Sequence, residues 1–72
     1  MISVELFNGA VEIRLDDSGI DRLIHDLQSL RGLTSHLHFM TPSWGGGELA
    51  EAAAKGEQVH HLILYSVPEI SN

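Results

Sequence analysis

Five histidines stand in a chain of 72 residues. All but His25 fall in two short stretches, His36 and His38 in "SHLHFM" and His60 and His61 in "QVHHLILYSV". Imidazoles two apart on a strand point the same way. On neighbouring strands, His36, His38 and His61 could meet as three ligands of a zinc ion or titrate together as a pH-sensitive surface. They could also simply fill a half-polar sheet face beside Tyr65 and Glu5. His38 or His61 with Glu48 could form an acid–base pair. Nothing in the sequence specifies a nucleophile, a cofactor or a deep pocket, and a domain this small rarely encloses one. The chain is therefore not expected to be an enzyme, to carry a cofactor or to hold zinc tightly.

The second unusual stretch is "HFMTPSWGGGEL", residues 38 to 49. It places Trp44, the single tryptophan, between Pro42 and three glycines. Pro42 forces Thr41 extended and stiffens the entry. Gly45, Gly46 and Gly47 permit a tight turn or a close backbone approach. Three roles for Trp44 stay open: a cap folded back on the core, an anchor at a protein interface, or a stacking platform for a ligand. "GGGE" lacks the Lys and Ser/Thr of a phosphate-binding loop.

Positioning these groups requires a scaffold, and the hydrophobic periodicity supplies one. "ISVELF" alternates, "NG" at Asn8-Gly9 is the strongest short hairpin signal, and "VEIRL" alternates again. Ile2, Val4, Leu6, Val11, Ile13 and Leu15 would share the dry face of this hairpin. "DDSGIDRLIHDLQSLRG" changes to a helical period with Ile20, Leu23, Ile24, Leu27 and Leu30, and the stripe Ile20, Leu23, Leu27 and Leu30 is expected to be buried. Asp17 or Ser18 would cap its start and Gly32 would end it. Strands are expected over 35–40 and 58–67, with Leu37, Phe39, Leu62 and Leu64 under the helix. His36, His38, Met40, His61, Ile63 and Tyr65 would then lie on the open face. The expected architecture is α+β, a single β-β-α-β-β domain over residues 1–72. It has a four-stranded, mainly antiparallel sheet ordered 2-1-3-4, with a parallel pair between strands 2 and 3 as the alternative, one helix on one face, and a long loop over 41–57. A short helix near 48–55 is expected in "GELAEAAAK".

Composition narrows the partners. Ten acidic residues against four basic ones give a formal charge of -6. That cannot supply the clustered Lys and Arg that phosphate contacts need, so no nucleic acid is expected. The charge would instead attract a basic protein partner or serve only to keep the chain soluble. No apolar run approaches the roughly 20 residues of a membrane helix. "MISVELFN" has no basic region or cleavage site of a signal peptide. With no cysteine, the cytoplasm is the expected compartment. Met40, Ile63, Tyr65 and Phe7 would leave an apolar patch on the open face, and self-association there, as a homodimer, is the structural alternative to a binding module.

"HLHFMTPSWGGGELAE", with "VHHLILY" near the end, resembles immunity protein family 32 of bacterial polymorphic toxin systems. The resemblance covers the whole chain. It is most specific at Met40, Thr41, Pro42, Ser43, Trp44, Gly45, Gly46, Glu48 and Leu49, followed by His61, Leu62 and Tyr65. It implies a small α+β protein that binds and neutralises a cognate toxin, and it brings no catalytic residues. Together with the charge, it points to a basic nuclease blocked by occlusion. Thr41, Pro42, Ser43, Trp44, Gly45, Gly46, Glu48, His38, His61 and Tyr65 are the expected partner-binding residues.

Overall fold

A computed structural model describes residues 1–68. Its elements run β1 (Ile2–Phe7), β2 (Ala10–Leu15), α1 (Asp17–Leu30), β3 (His36–Met40), a 3-10 turn (Pro42–Trp44), β4 (Glu57–Gln58) and β5 (His61–Tyr65). This is the expected α+β, β-β-α-β-β order, with the last predicted strand, 58–67, divided into β4, which starts one residue earlier at Glu57, and β5.

Asn8 and Gly9 both take positive φ, 50° and 78°, as a two-residue hairpin turn of type I′ requires. Phe7 is thereby set opposite Ala10 and Ile2 opposite Leu15. The helix begins one residue earlier than the expected caps allow. Asp16, not Asp17 or Ser18, is extended and accepts from the Gly19 N–H at 2.8 Å. The Met1 ammonium, the Gly19 N–H and the Ser18 hydroxyl together hold its carboxyl at about 2. At the other end Arg31 and Gly32 form a turn closed by the Leu33 N–H on the Leu30 carbonyl at 3.1 Å.

The strands pair as two hydrogen-bonded sheets, β2-β1-β4 and β3-β5, antiparallel throughout. The last strand serves both. Its first part pairs with β1, Glu57 opposite Leu6 and Gln58 opposite Glu5, and the Val59 N–H still bonds the Val4 carbonyl at 2.9 Å. Its second part pairs with β3, His61 opposite Met40 through Tyr65 opposite His36. The expected order 2-1-3-4 is therefore corrected: the last strand, not β3, lies beside β1.

The cause lies in Glu5. Alternation puts it with Ser3 on the expected outer face of the hairpin, yet both are buried, Glu5 to 1% exposure. Its carboxylate accepts from three consecutive backbone amides, Ala54 and Lys55 at 3.1 Å and Gly56 at 2.6 Å. It also pairs with the Arg14 guanidinium. Two of these amides, Ala54 and Lys55, are ones a helix over 48–55 would have used internally, and that helix is absent. The Gln58 amide ties the same segment down, donating to the Val4 and Val59 carbonyls and accepting from the Ala53 N–H.

Ile2, Val4, Phe39 and Leu49 form the buried core, with Leu15, Leu23, Leu37, Val59, Leu62 and Leu64 packed against it. The helix contributes less than its periodicity implies. Leu30 is buried, but Ile20 and Leu27, expected in the core, are 41% and 47% exposed. The helix stands off the strands and leaves an apolar crevice of about 90 Å³, which Ile2, Ile13, Leu23, Leu27 and Phe39 help to line. Leu6, Val11 and Ile13, at the far end of the hairpin's dry face, are also exposed.

Two substitutions separate these roles in chemical denaturation. Phe39→Ala should cost about 3–5 kcal/mol, whereas Leu27→Ala should cost less than the ~2 kcal/mol that opens the range for buried leucines. Equal losses would place Leu27 in the core after all. Glu5→Ala should cost about 1–3 kcal/mol, because it removes the buried acceptor shared by three backbone amides and the partly exposed Arg14. A loss under ~1 kcal/mol would show that water replaces the carboxylate without penalty.

Candidate functional site

The loop that carries Trp44 is tightly knit. Thr41 is fully buried; its N–H bonds the His60 carbonyl at 3.0 Å and its hydroxyl meets His60 Nδ1 at 2.7 Å. The 3-10 turn follows, with the Trp44 and Gly46 N–H groups on the Thr41 carbonyl and the Gly45 N–H on the Pro42 carbonyl. Gly45 leaves the turn at φ 88°. At Gly46 the chain passes so close to β3 that a Cβ would lie 2.5 Å from the Met40 carbonyl oxygen. An alanine there would force the loop open.

Two carboxylates pin this loop. Glu48 accepts from the Met40 N–H and the Gly47 N–H, both at 3.1 Å, and those two bonds, the Met40 one foremost, hold its carboxyl below the ordinary range. Glu51 accepts from the Ser43 N–H at 2.7 Å. The Ser43 hydroxyl and then its N–H lower the Glu51 carboxyl in the same sense.

So anchored, Trp44 does not fold back onto the core. Its side chain is 58% exposed and lies parallel to the His60 ring, 5° between planes and 5.9 Å between centroids. It also leans on His61 at 6.2 Å. From there the rings continue across the face of β3 and β5. His61 stacks on His38 at 4.9 Å, with His38 Nδ1 and His61 Nε2 sharing a 2.7 Å hydrogen bond. His38 meets His36 edge-on at 4.9 Å, and His36 meets Tyr65 at 5.4 Å. The register expected from alternation is the observed one, since His36 faces Tyr65 and His38 faces Ile63 across the ladder.

The expected partner-binding residues thus separate by position. Pro42, Ser43, Trp44, Gly45, His38 and Tyr65 lie exposed and His61 is half-buried. Thr41 is buried, while Gly46 and Glu48 are half-buried and build the loop from beneath. His60 and Glu51 belong to the site although neither was singled out for it. The spacing of His60 from its neighbour gave no sign that it would turn away from the β3 ladder to meet the loop.

A continuous row of rings, one of them an exposed tryptophan, can stack on planar groups, accept cation–π contacts from Lys or Arg and bury area at low entropic cost. The His38–His61 bond needs one neutral acceptor nitrogen, so the pair cannot keep it when both rings carry two protons. Among the described residues, no three His, Asp or Glu side chains converge as a metal site would require, and no helix is long and apolar enough to cross a membrane. Comparison of the chain with protein-family profiles, curated proteins and solved structures finds no match.

The pinning carboxylates make a pH prediction. Groups whose folded values are depressed stabilise the loop above their ordinary value of 4.5 and lose that contribution as pH falls below it. Fluorescence of Trp44 should show a reversible step below pH 4.5. In the Glu48→Gln, Glu51→Gln double variant the acidic step should vanish. Its persistence there would mean that other groups hold the loop.

Proposed function

We propose that this chain is an immunity-type binding protein that neutralises a cognate toxin by occluding it. The observation that carries the reading is the exposed Trp44 ring, held flat on His60 by a loop with two carboxylate clamps and continuous with the ring row to Tyr65. A rigid, pre-positioned aromatic anchor is the kind of residue around which an interface hot spot forms. It is not needed to fill a core. The charge of -6 draws a basic partner and speeds encounter at low salt. A basic nuclease is the toxin class that fits this charge. The row offers cation–π faces to its Lys and Arg side chains, and Ser43 and Tyr65 offer hydroxyls at either end. Binding, rather than catalysis, is what such a flat, ring-lined strip provides.

Co-expression with the product of the adjacent coding frame, the toxin on this reading, tests it. The intact chain should protect cells and co-purify with the toxin. Trp44→Ala should leave the melting temperature unchanged and weaken binding by about 2 kcal/mol or more. A folded chain that neither protects nor binds would end the immunity reading. A lowered melting temperature with unchanged affinity would return Trp44 to a structural role.

A further inference from the structure

The outer edge of β2 is the second surface that calls for a partner. No other described strand pairs with it. The carbonyls of Ile2 and Val4 turn away from β2, taken by the Ala50 and Val59 N–H groups. In an antiparallel ladder these directions alternate. Ser3, Glu5 and Phe7 therefore bond across to Arg14, Glu12 and Ala10, and Val11, Ile13 and Leu15 point their own N–H and C=O groups out of the sheet. Their side chains lie on the hairpin's dry face, where Val11 is 61% and Ile13 46% exposed. An open edge beside exposed aliphatic side chains is an aggregation hazard unless something covers it.

We infer that a second copy of this chain covers it, β2 pairing antiparallel with its own symmetry mate about a two-fold axis at Ile13. Charge selects this register. Centred on Ile13, the ladder sets Val11 opposite Leu15 of the mate, and Glu12 opposite Arg14 of the mate twice over. Centred on Glu12, it would oppose two like carboxylates, which is destabilising. In the chosen register Ile13 exchanges both backbone bonds with its own equivalent. Arg14 already reaches Glu5 and Glu12 within its own chain, and its five donors leave capacity for a further carboxylate. The two-fold axis keeps like faces together, so both helices lie on one side of the joined sheet. Ile20, Ile24 and Leu27, spaced i, i+4 and i+7, form an exposed apolar stripe there, and Leu27 lines the crevice together with Ile13. The axis thus gathers the exposed aliphatic groups of both copies above the seam. This surface is separate from the ring row, so each can fail without the other.

Sedimentation equilibrium of the full chain should return twice the 7.9 kDa chain mass at micromolar concentration. Glu12→Arg sets like charges opposite Arg14 of the mate and should raise the dissociation constant at least tenfold, with circular dichroism reporting the fold. Because the chain has no cysteine, Ile13→Cys supplies a second readout. Paired residues of such a ladder have Cα atoms about 5.5 Å apart, within disulfide reach, so mild oxidation should give a covalent dimer. Ala52→Cys, in the loop over the opposite face, should not. A monomer at millimolar concentration would overturn the inference. So would a dimer that cross-links no faster through Ile13→Cys than through Ala52→Cys.

Discussion

The Glu5 carboxylate is the constraint on which the rest of this fold depends. A charge removed from water is tolerated only where donors surround it, and here the donors come from two places far apart in sequence. Arg14 lies across the hairpin, and the amides of Ala54, Lys55 and Gly56 lie in the long connection. Meeting that demand draws the connection across the hairpin and delivers Gln58 and Val59 to the edge of β1. Once they are there, the chain must turn at His60 to reach β3. That turn brings His60 under Trp44 and sets His61 beside His38. The ring row is thus a downstream consequence of one buried acid.

Much of this was legible in the sequence. Asn8-Gly9 fixed the hairpin because few other pairs accept positive φ twice. The period of α1 gave its span, and alternation in "HLHFM" and "HLILY" assigned every histidine of those strands to the face it occupies. These are local rules, and they held where local geometry decides. They failed where a distant group overrode them. Glu5 was read outward because alternation alone cannot reveal that residues 53–58 will cover that face. "ELAEAAAK" was read as a helix because its propensities favour one, but a helix there would need two of the amides that the acid requires. Leu27 and Ile20 were read as buried because a helical period marks a stripe without saying how closely the partner sheet approaches it.

The loop around Trp44 answers the apparent contradiction of a large ring among glycines. Glycine there does not confer looseness. Gly46 is needed because the backbone runs against Met40, and Gly45 because the exit from the 3-10 turn is left-handed. The result is a short platform whose backbone N–H groups from Ser43 to Gly47 are all satisfied internally. The entropy of ordering the ring is therefore spent on folding rather than on binding, which is the advantage of preorganisation.

The last strand, shared between β1 and β3, also dictates when the protein can fold. During synthesis the hairpin and α1 emerge first, but neither sheet can close until residues 57 to 65 have cleared the ribosome. Until then Glu5 has no amides to meet and β3 has no neighbour. The nascent chain must therefore travel as an open hairpin and a loosely attached helix, with Phe39 and Leu49 uncovered. Closure then joins segments more than fifty residues apart, a high-contact-order step that favours slow folding and prolonged exposure of apolar surface. A chaperone that shields short apolar strands would find its substrate in that interval, before the final strand locks both ladders together.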